Sequence, residues 1–187
     1  MIDLDLTPKE NLKNLAKFKG ADLSELMVCI LDRPRHEELI ARVRETGARI
    51  TLIQDGDVSG VIATTEPQTG VDIYMGSGGA PEGVLAAAAL RCLGGFMQGR
   101  LLFRNDDERA RAKRWGVTDF GRKYNILDMA RGDVMFAATG VTNGAMLPGV
   151  RRFPNGAETH SIVMRSKSGT VRHVRATHNF NKKQGIQ

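Results

Sequence analysis

The chain has 187 residues, of which 41% are hydrophobic, 26% charged and only 5% aromatic. These fractions suit a single domain over residues 1–187 with an aliphatic core, and they exclude a disordered tail, a collagen-like repeat and a coiled coil. No apolar run approaches the length that spans a bilayer, and the acidic start MIDLDLTPKE lacks the basic, apolar-cored form of a signal peptide. Cys29 and Cys92 sit inside apolar runs without metal-site or redox-motif spacing, which predicts buried, reduced thiols in a cytoplasmic protein.

The net charge of +6 is unevenly placed. From Arg151 onward eight Lys and Arg residues stand against one acid, Glu158, so this segment carries +7 and the first 150 residues −1. Basic segments can meet nucleic acid, but only Phe153 and Phe180 are aromatic here, and an interleaved stacking platform is missing. A solvated strand pair with charged outer faces is the favoured reading, with no nucleic-acid partner.

In chain order, Thr7-Pro8-Lys9-Glu10 is a capping box with proline at the first helical position, and Gly20 is the expected stop. The apolar run Met27 to Asp32 predicts a buried strand. Pro34 opens a helix with an apolar stripe of Leu39, Ile40 and Val43, ending at Gly47. Arg49 to Gln54 alternates as a second strand, and Asp57 is placed to cap a helix carrying Val58, Val61 and Ile62. Val71 to Met75 predicts a third strand, Pro81 to Leu93 an alanine-rich helix closed by Gly94-Gly95, and Leu101 to Phe103 a fourth strand. Asp106 to Trp115 reads as a charged surface helix and Val134 to Ala138 as a further strand. Ser161–Arg165 and Thr170–Val174 flank a Lys-Ser-Gly turn, a hairpin signal. The predicted fold is α/β: a mostly parallel or mixed sheet sandwiched by helices, with an antiparallel C-terminal hairpin.

Ligands of open α/β sheets bind beyond the carboxyl ends of the strands, where loops enter helices. Three such junctions carry suggestive residues and are expected on one sheet edge. In Asp32-Arg33-Pro34-Arg35-His36, two guanidinium groups flank a helix start, matched in shape to phosphate; exposed arginines are common there, and spacing alone favours that plainer reading. Asp55-Gly56-Asp57 is either a turn with a helix cap or a carboxylate pair for sugar hydroxyls or a hydrated cation. Gly76-Ser77-Gly78-Gly79-Ala80-Pro81-Glu82-Gly83 is neither a dinucleotide fingerprint, since Pro81 stands where the third glycine belongs, nor a phosphate-binding loop ending in Gly-Lys-Ser/Thr. For Glu82, a helix-dipole partner and a metal or polyol ligand stand level. The four histidines lack zinc spacing, and Ser77 has no base partner visible in the sequence, so no catalytic residue is assigned.

Taken in order, Ile30-Leu31-Asp32-Arg33-Pro34-Arg35-His36, Asp55-Gly56-Asp57-Val58 and Gly78-Gly79-Ala80-Pro81-Glu82-Gly83-Val84 closely resemble the class II (GlpX-type) fructose-1,6-bisphosphatases. Gly99-Arg100-Leu101-Leu102, Asp128-Met129-Ala130-Arg131 and Phe136 to Thr142 match as well. The resemblance runs from about Asp3 to His178 and is to the carboxyl-terminal half of that family. It implies the carboxyl-terminal domain of a sugar-phosphatase fold. The activity implied is hydrolysis of the 1-phosphate of fructose 1,6-bisphosphate to fructose 6-phosphate in gluconeogenesis, with Mn²⁺ or Mg²⁺ as cofactor. By the same resemblance Arg33, Pro34, Arg35, Asp55, Gly56, Asp57 and Gly79 contact the sugar bisphosphate, and Glu82 is a metal ligand.

The family's amino-terminal half, which supplies most acidic metal ligands, has no counterpart here. The expectation is therefore that the chain alone is inactive and that a complementary amino-terminal half, or a homo-oligomer, completes the site. The alternative is a non-catalytic sugar-phosphate-binding or assembly module, or an activity on sedoheptulose 1,7-bisphosphate.

Overall fold

A computed structural model describes residues 2–182. Helix α1 (Pro8–Lys19) begins with the expected capping box: Thr7 and Glu10 satisfy each other's backbone N–H groups, and Gly20 ends the helix at φ +64°. Strand β1 (Met27–Leu31) is followed by a single 3₁₀ turn (Pro34–His36) and then helix α2 (Glu37–Arg44), so Pro34 opens a turn before the α-helix itself. Strand β2 (Arg49–Ile53) leads into helix α3 (Asp57–Ala63). The cap of α3 is Gly56 at φ +75°, one residue before the predicted Asp57, which is left as the first helical residue. Strand β3 is only Ile73–Tyr74, and helix α4 runs from Ala80 to Leu93.

These three strands pair in parallel in the order β2-β1-β3, so their carboxyl ends share one edge. Side chains alternate along a strand, and here Val28 and Ile30 pack with Leu12 and Ala16 of α1 and Ile40 and Val43 of α2. Cys29 faces the other way, toward α3: a Cβ on Gly60 would meet its Sγ at 3.2 Å. Leu12, Val28, Ile30 and Val43 have no exposed surface, which contributes roughly 1.5–3 kcal/mol per side chain.

The chain then leaves this sheet. Gln98–Gly99 (β4) pairs antiparallel with Tyr124–Asn125 (β5), and helix α5 (Asp106–Arg114) lies between them in sequence. The predicted strand at Leu101 to Phe103 is instead irregular: Leu102 is 71% exposed, and Phe103 stacks edge-on against Phe120 at 5.1 Å, with no neighbouring ladder to join. A short helix α6 (Ile126–Met129) precedes the last strands, β6 (Met135–Thr139), β7 (Arg151–Phe153), β8 (Gly156–Arg165) and β9 (Thr170–Asn179).

These four strands form an antiparallel sheet in which β9 lies along one edge of β8, and β6 and β7 share the other. The predicted hairpin is thus present but longer, and the strand expected at Val134 to Ala138 forms one residue later, at Met135–Thr139, and joins it. Phe136, Ile162 and Met164 pack against Ile62 of α3 and Ala89 and Cys92 of α4. The layers are therefore α1 and α2, the parallel sheet, α3 and α4, and the antiparallel sheet. The outward face of that last sheet carries Met135 and Val174, exposed by 69% and 43%.

Candidate functional site

The parallel sheet delivers all three predicted junctions to one edge. Asp32 to His36 follows β1, Asp55 to Asp57 follows β2, and Gly76 to Gly83 follows β3. In the first junction Arg33 folds its Nη1 back onto the Asp32 carbonyl at 2.9 Å, and Pro34 starts the turn. Arg35 reaches across to the third junction, donating from Nε and Nη2 to the Ser77 carbonyl at 3.1 and 2.9 Å. Asp55 and Gly56 are exposed at the tip of the second junction, while Asp57 is half-buried.

Two carboxylates close on the glycine loop. A Cβ on Gly78 would stand 2.7 Å from Asp57 Oδ2, and a Cβ on Gly79 would fall on Glu82 Oε2. Only a residue without a side chain lets both acids lie against the loop backbone. Between them is a cavity of about 80 Å³, lined by Asp57, Tyr74, Gly76, Gly78, Gly79 and Glu82. It joins the loop junction to the start of α3, and the loop carboxylate and the Asp-Gly-Asp segment meet there.

Tyr74, the last residue of β3, is a member of this site that the sequence did not single out. Burial, reinforced by the negative charge of Asp57, pushes its phenol up to about 12. It therefore keeps its proton throughout the physiological range and remains a hydrogen-bond donor. Its position at a strand end, one residue short of the glycine run, was the available signal.

His36 and Ser77 are the second surprise. The His36 ring is 3% exposed, and its Nε2 lies 3.2 Å from Ser77 Oγ, so the fold supplies the base partner that the sequence did not reveal. That nitrogen, however, already accepts the Ser77 backbone N–H at 2.9 Å. Its lone pair is committed, and Ser77 is not an activated nucleophile.

The sequence pattern of the bacterial fructose-1,6-bisphosphatases encoded by glpX matches residues 1–178. The chain belongs to this family. A "D-fructose 1,6-bisphosphatase class 2/sedoheptulose 1,7-bisphosphatase" of Trichodesmium erythraeum is 41% identical over 199 aligned residues, which take in 100% of this chain and 58% of that protein. Proteins described in the same words from Microcystis aeruginosa and Synechococcus elongatus are 41% and 42% identical, over 100% and 96% of this chain. The chain thus spans 58%, 58% and 56% of these three family members.

Among the described residues, no three His, Cys, Asp or Glu side chains converge in a way that could hold a metal ion. Glu82 offers one hard oxygen donor at the glycine loop, which suits a divalent cation in kind but not in number. No helix is long and apolar enough to cross a membrane among the described residues. Cys29 and Cys92 are both buried and unbridged, as expected, and burial raises the pKa of each thiol.

Proposed function

We propose that this chain carries the substrate-binding part, and one metal ligand, of a class II bisphosphatase that cleaves the 1-phosphate of fructose 1,6-bisphosphate in gluconeogenesis. The reading rests on one observation above the others: the acids of two separate junctions, Asp57 and Glu82, meet on the backbone of Gly78 and Gly79. Arg33 and Arg35 hold a phosphate group from the end of β1, where Pro34 fixes the turn and charge-assisted forks bind a dianion strongly. Asp55 and Asp57, with Gly56 between them, accept hydrogen bonds from sugar hydroxyls. The backbone at Gly79 approaches the sugar closely, and protonated Tyr74 donates into the same cavity.

A divalent ion, Mn²⁺ or Mg²⁺, neutralises phosphoryl oxygens and acidifies bound water in such chemistry. Glu82 would hold it from this chain, together with donors supplied from outside it. The complementary part is the amino-terminal portion of such enzymes, or a second copy of the chain. Fructose 1,6- and sedoheptulose 1,7-bisphosphate share a 1-phosphate on a ketose, and the relatives' descriptions carry both. Buried, unbridged thiols support a reducing, cytoplasmic location.

A non-catalytic sugar-phosphate-binding or assembly module is the second reading. It is favoured by the lack of a three-ligand metal cluster among the described residues. The two readings separate when the chain is joined to the amino-terminal portion of the Synechococcus elongatus relative. Phosphate release from fructose 1,6-bisphosphate with Mn²⁺ supports the enzyme, whereas sugar-phosphate binding without release supports the module.

A further inference from the structure

We infer that His36 is a positioning residue: as a neutral imidazole protonated on Nδ1, it latches the glycine loop through the Ser77 backbone and so sets where Gly79 and Glu82 stand. The tautomer follows from its partners. Nδ1 lies 2.8 Å from the Leu31 carbonyl, which can only accept, so Nδ1 carries the proton. Nε2 faces the Ser77 backbone N–H at 2.9 Å, which can only donate, so Nε2 is bare. One ring thus ties Leu31, the last residue of β1, to Ser77, which lies 41 positions beyond His36 itself.

The same residue is held from its other side, through the next peptide group. Arg35, the neighbour of His36, donates twice to the Ser77 carbonyl. The loop also passes close to the imidazole: a Cβ on Gly76 would lie 3.2 Å from both Cε1 and Nε2. Only Gly78 and Gly79 separate this clamp from the first residue of α4, Ala80. Two glycines impose little conformation of their own, so the anchor at Ser77 is what defines their path, and with it the cradle in which the Glu82 carboxylate lies. Ser77 contributes its backbone, and its hydroxyl at 3.2 Å from Nε2 is secondary.

That the positioned groups bind ligand rests on the function proposed above, but the latch is tested without any ligand. In the ¹⁵N-labelled 187-residue chain, long-range ¹H–¹⁵N spectra should show His36 neutral, with Nδ1 protonated and Nε2 bare. The Ser77 amide should be protected from hydrogen exchange. Asparagine places its amide where Nδ1 was and glutamine places its carbonyl where Nε2 was. In His36→Asn the amides of residues 77–79 should therefore exchange about tenfold faster or more while those of β1 and β2 are unchanged, and His36→Gln should restore protection. An Nε2–H tautomer in the parent, or equal loop exchange in the parent and His36→Asn, overturns the latch. If either variant fails to fold, the parent tautomer decides. An inactive joined protein would instead count against the proposed enzyme and leave these exchange results standing.

Discussion

Asp57, at the start of α3, and Gly78, in the loop before α4, approach so closely that a β-carbon on Gly78 would stand 2.7 Å from the Asp57 Oδ2. The obstructing atom at Gly78, like Glu82 Oε2 at Gly79, is the far end of a side chain that can swing away. Gly78→Ala and Gly79→Ala are therefore expected to fold with stability within about 0.5 kcal/mol of the parent, a normal range for surface changes. The loss should fall on fructose 1,6-bisphosphate binding in the joined protein. Chemical denaturation and a binding titration on the same samples check both halves.

Tyr74 is expected to ionise near 12, read by ultraviolet absorbance in a Tyr124→Phe background. Burial is the larger cause and Asp57 the smaller, so Asp57→Asn should bring the phenol only part of the way toward 10. The sign for stability follows. A folded pKa above the unfolded one means the Tyr74 contribution is whole below pH 10 and is lost as pH rises toward 12. A full return to 10 in Asp57→Asn would show that charge, not burial, governs the site.

At the other end of the pH range, Asp5 is drawn down to about 2, first by its hydrogen bond from Arg100 and then by that from Lys123. Asp3 is lowered as well, chiefly by Lys123. Depressed carboxyl pKa values contribute stability above about 3.8 that disappears as pH falls through about 2. The tether between residues 3–5 and Lys123 should accordingly release in that window, and salt should weaken it in part because the pairs are partly open to solvent. Carboxyl chemical shifts of Asp3 and Asp5 against pH report it directly.

The middle core predicts a further cost. Met164 has no exposed surface and packs with Ile62, Ala89 and Phe136, joining the antiparallel sheet to α3 and α4. Met164→Ala should cost about 2–5 kcal/mol by loss of burial and creation of a cavity. Urea midpoints at constant m measure it.

Much of this arrangement was legible in the sequence because its causes are local. The Thr7 box, the Gly20 stop and the apolar run of β1 each depend on a few adjacent residues, and three strand-to-helix junctions in parallel order must share an edge. What was not legible depends on partners far apart in the chain. The His36 and Arg35 bonds to Ser77 bridge 41 and 42 positions, and no spacing rule announces them. The apolar run in β6 would suit either sheet, so its antiparallel pairing with β8 could not be read from its own residues. Leu101 to Phe103 looked like a strand because apolar runs do, but Phe103 found a ring rather than a ladder.

The 187-residue chain alone should release no phosphate from fructose 1,6-bisphosphate with Mn²⁺ or Mg²⁺, since the described residues gather no three-ligand metal site. A phosphate-release assay on the purified chain checks this, and turnover that survives Glu82→Gln would point to a contaminant.

Whether Glu82 supplies the metal ligand from this chain is decided by Mn²⁺ titration of phosphate release in the joined protein and its Glu82→Gln variant. Glutamine keeps the shape but loses the charge that a hard cation prefers. Loss of a ligand should raise the Mn²⁺ midpoint and lower the maximal rate, with the fold intact. An unchanged midpoint and rate, with stability lower by roughly 0.3–1 kcal/mol, would contradict it and leave Glu82 as a helix-dipole partner in the first turn of α4.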